Sequence, residues 1–204
     1  MSARITAPSD RSTKTRQTRA TRPNRRVANP RAFISYSHDS EQHEQYVLEF
    51  AARLCTDGID VYLDRYELAP AEGWPLWMER QIGDADFVLL ICTPIYLRRV
   101  EKKEVQGTGL GVCWEANIIY DHLYADGSQN HRFVPVITAS ANYNCIPRPL
   151  RTFEWHDLSR KDEYESLYHQ LIGVPVVNKP PLGKLRKPPS RATSCPPQRT
   201  RKTS

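Results

Sequence analysis

The sequence predicts an α/β domain in which a parallel sheet is covered on both faces by helices, with a basic tail at each end. Short apolar segments of strand length alternate with segments whose apolar residues recur at helical intervals, which is the pattern of strands joined by crossover helices. The run 86–92 is almost continuously apolar, as expected of a strand buried on both faces. Polar, basic sequence punctuated by proline flanks this region on both sides.

Charge divides the 204 residues into three segments. The chain carries +6 overall, but residues 1–30 hold eight Lys/Arg and one Asp, and residues 179–204 hold eight Lys/Arg and no acid. The residues between them therefore carry a net charge of −9. We predict a basic disordered tail at 1–30, one folded domain at 31–176 and a basic, Pro-rich disordered tail at 177–204.

The two tails leave more than one interpretation open. Basic runs can neutralise the phosphates of nucleic acid or of an anionic membrane surface. Neither tail interleaves aromatic residues with its basic ones, so a solvated arm is the simpler explanation. The N-terminal tail lacks the apolar segment of a secretory signal and resembles an organelle transit peptide only faintly.

Cysteine usage and hydropathy indicate the compartment. The five cysteines are odd in number and show neither CxxC spacing nor a companion His cluster, so we expect no metal site and a reducing environment. No apolar run reaches the roughly 18 residues that would cross a bilayer. We therefore predict a cytoplasmic protein without a membrane span.

The first half of the domain predicts two strands and two helices. In chain order these are a strand at 32–36, a helix at 39–54, a strand at 59–64 and, after a loop at 65–74, a short helix at 75–82. Asp39 and Gln42 form a possible capping box, and Gly58 is expected to end the first helix in the left-handed conformation. Pro75 suits the first turn of the second helix.

The second half continues the alternation. We expect a strand at 86–92, a short helix from 93, a helix at about 112–125, a strand at 133–137, a weak strand at 152–155 and a last helix at 162–171. Thr93 and Pro94 are a suitable N-cap and first helical residue. A glycine-containing stretch at 101–111 interrupts the helical pattern, and Pro135 indicates that the fourth strand lies near an edge of the sheet.

Seven short words of this sequence resemble the SEFIR family of the Toll/interleukin-receptor-like superfamily, and they come in that family's order. The words are FISYSHD at 33–39, GIDVYLD at 58–64, GWPLWM at 73–78, DADFVLLIC at 84–92, TPIYL at 93–97, CWEAN at 113–117 and RFVPV at 132–136. The resemblance covers about 31–173 and neither tail. The type of SEFIR protein that the sequence resembles is the bacterial one that consists of this domain alone.

The resemblance implies a fold and two alternative roles. The fold is a flavodoxin-like three-layer sandwich with a five-stranded parallel sheet of order 2-1-3-4-5. SEFIR domains of animal receptors and adaptors signal by contact with domains of their own kind, whereas some bacterial relatives resemble enzymes that split NAD at the nicotinamide bond in immune or antiphage responses. We expect a self-associating NAD-cleaving enzyme, with a non-catalytic adaptor for homotypic contact as the alternative.

A sheet of that order has its binding crevice at the carboxyl ends of the first and third strands. The residues that we expect to line it as substrate-binding residues are Ser35, Tyr36, Trp74, Tyr96 and Trp114. Glu115 is the candidate catalytic residue, because the superfamily's catalytic glutamate lies in a similar aromatic, Cys-containing word. No GxGxxG motif is present, so NAD would bind as a substrate and not in the way that a Rossmann fold binds a dinucleotide. No cofactor is expected.

A single carboxylate suffices for this chemistry. The nicotinamide of NAD is a cationic leaving group that departs neutral, whereas ordinary glycoside cleavage needs two carboxyl groups. The remaining task is to stabilise an oxocarbenium-like ribose in a partly dry, aromatic pocket. Glu115 can instead be an idle acid at a helix start, and Trp74 can be a packing anchor. His38 shows no evident acidic partner in a catalytic spacing and reads as a surface or capping residue.

Two segments are candidates for contact between protomers. The loop 65–74 corresponds to the family's variable assembly loop, and within it we expect Arg65, Glu67 and Leu68 to mediate contact; a solvated connection is the alternative. The helix after the third strand offers a second face through Arg98 and Arg99. One loop alone would supply less than the roughly 800 Å² that each partner of a stable interface buries.

Overall fold

The computed structural model describes residues 29–103, 110–125, 130–138 and 141–186. Within the helix at 110–125, the side chains of 110, 112–116 and 124–125 fall outside this description. The predicted N-terminal tail up to residue 28 and the C-terminal tail from residue 187 also lie outside it, and so does any contact of those residues with nucleic acid. Residues 178–186 are described and belong to no helix or strand.

Five strands and five helices make up the described part of the domain. The strands are β1 (Arg31–Ser35), β2 (Asp60–Tyr62), β3 (Phe87–Ile91), β4 (Phe133–Ile137) and β5 (His156–Asp157). The helices are α1 (Glu41–Thr56), α2 (Trp74–Asp84), α3 (Pro94–Val100), α4 (Leu110–Ala125) and α5 (Glu163–Leu171). Short 3-10 turns lie at Asp64–Tyr66, Tyr143–Cys145 and Arg148–Leu150.

The strands form one sheet in the order β2-β1-β3-β4-β5, and every neighbouring pair is parallel. Successive residues of a strand point to opposite faces. Phe33 accordingly packs into a buried cluster with α2, α3 and α4, while Ile34 packs into a second cluster with α1 and α5. These layers confirm the predicted fold class, a three-layer sandwich with sheet order 2-1-3-4-5.

Several local predictions are confirmed and one cap is corrected. Gly58 has φ +91°, the left-handed conformation expected after α1. The Thr93 hydroxyl caps α3 by accepting a hydrogen bond from the Tyr96 backbone N–H at 3.0 Å. The N-cap of α1, however, is Ser40, whose hydroxyl accepts from the His43 N–H at 3.2 Å. Asp39 does not cap the helix with Gln42, because its carboxylate accepts the Ser37 hydroxyl instead.

The fifth strand differs in position from expectation, whereas Pro135 lies near an edge of the sheet as predicted, since the two-residue β5 is the edge strand beside β4. β5 lies at His156–Asp157, just beyond the predicted 152–155, and pairs only with Val136 and Ile137. The carbonyls of Arg132 and Val136 accept hydrogen bonds on the side of β4 that faces β3. Successive residues of a strand point their backbone groups to alternate sides, so those of Pro135 point toward the side that β5 flanks. Because β5 begins opposite Val136, the missing N–H of Pro135 interrupts no paired position there.

The described helices contain none with the length and apolar character that a membrane span requires.

Arg132 fastens the end of α2 to the sheet. Its guanidinium lies before β4 and donates to the carbonyls of Ile82, Gly83 and Ala85, the last at 3.0 Å. The last carbonyls of a helix have no partner within the helix, so a cation with several donors satisfies them well. One side chain thereby joins α2 to the start of β4 across about 50 residues of sequence.

We expect Arg132→Ala to lower the free energy of unfolding by about 1.5–3 kcal/mol, since charge-assisted hydrogen bonds to these carbonyls would be lost. Urea denaturation followed by circular dichroism measures the change. Arg160→Ala is the matched control, because the Arg160 side chain is exposed and forms an ion pair with Glu163 on the surface, at 3.3 Å. Equal, small effects of both substitutions would contradict the role assigned to Arg132.

Candidate functional site

The chain leaves the carboxyl ends of β1 and β3 toward opposite faces of the sheet. After β1 it enters α1 on one face, and after β3 it enters α3 and α4 on the other. Because β1 and β3 are neighbours in the sheet, the general rule for such sheets places a binding crevice between their two departing connections. We take this position as the candidate site and call it the crevice.

Buried hydroxyl groups form the floor of the crevice. The Ser35 hydroxyl lies 2.9 Å from the Tyr96 hydroxyl, and both side chains are completely buried. Beside them, the Ser37 hydroxyl lies 3.3 Å from that of Thr93, and both of these residues are buried as well. Two of the predicted substrate-binding residues, Ser35 and Tyr96, are therefore brought together, but as a mutually bonded floor and not as an exposed surface.

Tyr36 connects the floor to a charged group at the rim. Its side chain is 5% exposed, and its hydroxyl donates to the Asp64 carboxylate at 3.0 Å. His38 Nε2 lies 3.1 Å from the same carboxylate, and His38 Nδ1 lies 3.2 Å from Glu44. Arg65 forms an ion pair with Glu44. We call these five residues the rim cluster.

The rim cluster shifts the titration of its members. Burial, reinforced by the neighbouring Asp64 carboxylate, raises the pKa of Tyr36 well above its ordinary value, so the phenol stays protonated. Burial alone would raise the pKa of Asp64, but hydrogen bonds from His38 and Tyr36 bring the pKa of Asp64 below its ordinary value. The hydrogen bond to Asp64 raises the pKa of His38, against the effect of partial burial.

This cluster has a geometry unsuited to holding a metal ion. The two carboxylates face opposite nitrogens of the His38 ring, so the three side chains do not converge on one point. Among the described residues, no group of three or more His, Cys, Asp or Glu side chains has the arrangement of a metal site.

Trp74 stands at the beginning of α2 and is partly open to solvent. Its ring is 41% exposed and packs edge-on against Trp77, with 5.6 Å between ring centroids. Trp77 is buried and packs in turn against Phe33 of β1, with centroids 6.0 Å apart. The indole of Trp74 is thus supported by the core and still has surface available for a ligand.

The backbone of α4 carries Trp114 and Glu115, whose side chains lie outside the described residues. The helix itself packs against α2 and α3. Near its start, a Cβ atom at Gly111 would lie 4.0 Å from the sulfur of Met78 in α2. The first turns of α4 therefore run beside the helix that Trp74 begins.

The residues predicted to mediate contact between protomers lie at the surface. Glu67 is exposed, and the Leu68 side chain is 96% exposed. Arg65 is exposed but engaged with Glu44 of α1. Arg98 is exposed and Arg99 half-buried in the last turn of α3.

Sequence reasoning missed the carboxylate partners of His38. Glu44 lies in the first turn of α1, and Asp64 follows the neighbouring strand β2. A usable signal was present, because His38 comes three residues after the end of β1 and Asp64 two residues after the end of β2. The carboxyl ends of adjacent parallel strands meet at one edge, which brings such residues together.

Comparison with known proteins gives the following matches. The family model for the TIR domain matches residues 32–172. The solved structure of a prokaryotic SEFIR domain is 29% identical, with a TM-score of 0.53 over 70% of this chain and 99% of that one. The SEFIR domain of interleukin-17 receptor B is 15% identical, with a TM-score of 0.54 over 72% and 97%, and supports the fold alone. No curated protein matches significantly.

We expect the Ser35–Tyr96 hydrogen bond to be measurable as a coupling energy. In a double-mutant cycle of Ser35→Ala and Tyr96→Phe, unfolding free energies should show a coupling of about 1 kcal/mol, because the bond is buried and links β1 to α3. Urea denaturation of the four proteins supplies the values. Strictly additive effects would mean that the two hydroxyls do not support each other.

Proposed function

Because this chain belongs to the TIR domain family, as a SEFIR/TIR-like signalling domain, we propose that it self-associates and cleaves NAD at the nicotinamide–ribose bond in an immune or stress response. We assign this activity to a cytoplasmic domain at 31–176, with basic tails at 1–30 and 177–204. The TIR domain family includes some NAD-cleaving members, while SEFIR domains are mostly non-catalytic adaptors. A non-catalytic homotypic adaptor is therefore the second candidate.

The packing of α4 carries the catalytic proposal. This helix holds Glu115 in its first turns and packs against α2 and α3, which flank the crevice. We propose that the Glu115 carboxylate lies at the rim of the crevice, with Trp114 and the open face of Trp74 as its aromatic walls. Ser35 and Tyr96 would shape the floor beneath the substrate without contacting it directly, since they are wholly buried.

The proposed reaction needs one carboxylate and water. The bond between ribose C1′ and the nicotinamide nitrogen breaks, its electron pair goes to the pyridinium ring, and nicotinamide leaves neutral. Glu115 stabilises the positive charge that develops on the ribose. Water then adds to C1′ and loses a proton to solvent, which yields ADP-ribose, nicotinamide and H⁺.

Charge at the start of α1 limits where the pyrophosphate of NAD can lie. Backbone N–H groups at helix starts favour anions, but the first turn of α1 carries Glu41 and Glu44. The nearby cations His38 and Arg65 already contact carboxylates. We therefore propose that stacking on Trp74 and Trp114 contributes more to substrate affinity than phosphate contacts near Tyr36.

We expect Glu115→Gln to reduce nicotinamide release from NAD by at least about 100-fold, because the amide cannot stabilise the developing charge. The purified full chain is incubated with NAD at high protein concentration, so that a site completed by assembly is present, and free nicotinamide is quantified by chromatography. Asp121→Asn, at an exposed carboxylate on the same helix, is the matched control and should keep the activity.

The outcomes separate the two candidate functions. Turnover that survives Glu115→Gln would remove the proposed mechanism. Self-association with no turnover at any concentration would favour the adaptor.

Exposed apolar side chains in and beside the loop 65–74 support self-association. Tyr66, Leu68 and Leu76 are 51%, 96% and 58% exposed. Apolar surface gains stability when a partner removes it from water. We propose that this loop, with Glu67 and Arg65, meets another SEFIR/TIR-type domain, and that the α3 face with Arg98 and Arg99 enlarges the contact.

We expect Leu68→Asp to weaken self-association at least about tenfold, since a charge would replace the most exposed apolar side chain of the contact. Sedimentation velocity over a concentration series measures the change. Leu182→Asp is the control, because Leu182 is 94% exposed but lies outside the loop. A Leu68→Asp protein that associates like the wild type would exclude this loop from the interface.

A further inference from the structure

His38 is held between two carboxylates that belong to different elements. Its Nδ1 faces Glu44 of α1 at 3.2 Å, and its Nε2 faces Asp64 of the 3-10 turn after β2 at 3.1 Å. The imidazole thus links the start of α1 to the turn from which the loop 65–74 departs, beside the Arg65–Glu44 ion pair. It remains 48% exposed, so protons exchange with solvent freely.

The number of protons on the ring decides whether both contacts hold. A neutral imidazole has one N–H donor and one lone pair, whereas the imidazolium has two N–H donors. Only the charged ring can donate to Glu44 and Asp64 together. Loss of one proton sets a lone pair against a carboxylate, and the contact on that side becomes repulsive.

The surrounding groups favour the charged ring. The Tyr36 ring lies 4.8 Å from that of His38 and is uncharged, and the carboxylates that act on His38 are Asp64 and Glu44, whereas Asp39 acts on His43. Arg65 offers one positive charge, which faces Glu44. His43 does not compete for the proton, because burial lowers its pKa.

We propose that His38 is a proton-controlled clamp that, when charged, tightens the attachment of the turn Asp64–Tyr66 and the loop after it to α1 and, when neutral, leaves that attachment to the Arg65–Glu44 ion pair. This inference rests on the proposed function for its consequence. A loop ordered before it meets a partner loses less entropy on association. Assembly through the loop should therefore strengthen as the pH falls and weaken as it rises.

The direction of the pH effect follows from the folded state's affinity for the proton. The hydrogen bond to Asp64 raises the pKa of His38 above its ordinary value of 6.5. A group whose pKa is raised on folding stabilises the folded arrangement fully below the unfolded value. That contribution is lost as the pH rises from 6.5 through the folded value. Asp64, whose pKa is lowered, stays charged throughout this window.

Two measurements on the full chain test the clamp without requiring turnover. An NMR titration of the imidazole Cε1 proton should give His38, identified by the signal missing in His38→Gln, a pKa above 6.5. Hydrogen exchange of peptides covering 64–73, corrected for intrinsic rates, should show greater protection at about pH 5.5 than at about pH 8.5. The ratio should reach roughly tenfold for each pKa unit above 6.5.

Variants separate the clamp from a general effect of pH. His38→Gln should show low protection at both pH values, and His131→Gln, at an exposed histidine elsewhere, should behave like the wild type. If His38→Gln does not fold, Glu44→Gln serves instead and should lower the pKa of His38. Equal protection of the wild type at both pH values, or a pH dependence retained in His38→Gln, would overturn the proposal.

The clamp and the catalytic proposal fail in different ways. A chain without NAD turnover can still show the pH-dependent protection; the clamp would then be supported and the catalytic proposal contradicted. A chain whose loop protection ignores pH can still cleave NAD through Glu115.

Discussion

The place of β1 between β2 and β3 is the constraint on which the rest of this structure depends. Because both neighbours are parallel to it, the carboxyl ends of three strands meet at one edge, although they come from distant parts of the chain. Right-handed crossovers then carry the chain to opposite faces after β1 and after β3. The hydroxyls of Ser35 and Tyr96, 61 residues apart in sequence, meet at 2.9 Å as a result.

Two kinds of polar contact lie at that edge, and solvent exposure distinguishes them. Ser35, Ser37, Thr93 and Tyr96 are buried and uncharged, and an unpaired hydroxyl there would be costly, so these groups bond to one another. The rim cluster, apart from the buried, neutral Tyr36, is partly exposed and charged. Each of its ionic contacts contributes less to stability, and those of His38 depend on pH. Because of this difference in burial, we expect the hydroxyl contacts at the floor to be rigid and the ionic contacts at the rim to change with pH.

The rim also relates the proposed chemistry to the proposed assembly. Asp64 begins the 3-10 turn that leads into the loop with Leu68, and that loop ends at Trp74, the partly exposed residue proposed as an aromatic wall of the site. A protomer that contacts the loop would therefore act on a segment joined to the site at both ends. Both candidate functions would use the same loop, since the enzyme would work only when assembled and the adaptor would only assemble. Glu115 distinguishes the two, because only the enzyme needs this carboxylate.

The sequence by itself determined the order of elements and the parallel sheet, because periodicity, glycine and proline act locally and the family's words occur in order. It also placed Glu115 in a helix after β3. Only the tertiary structure decided which polar groups meet. Ser40 and not Asp39 caps α1. Arg132 donates hydrogen bonds to carbonyls at the end of α2, and His38 lies between Glu44 and Asp64. Such contacts depend on distances between side chains of separate elements, which local pattern does not encode.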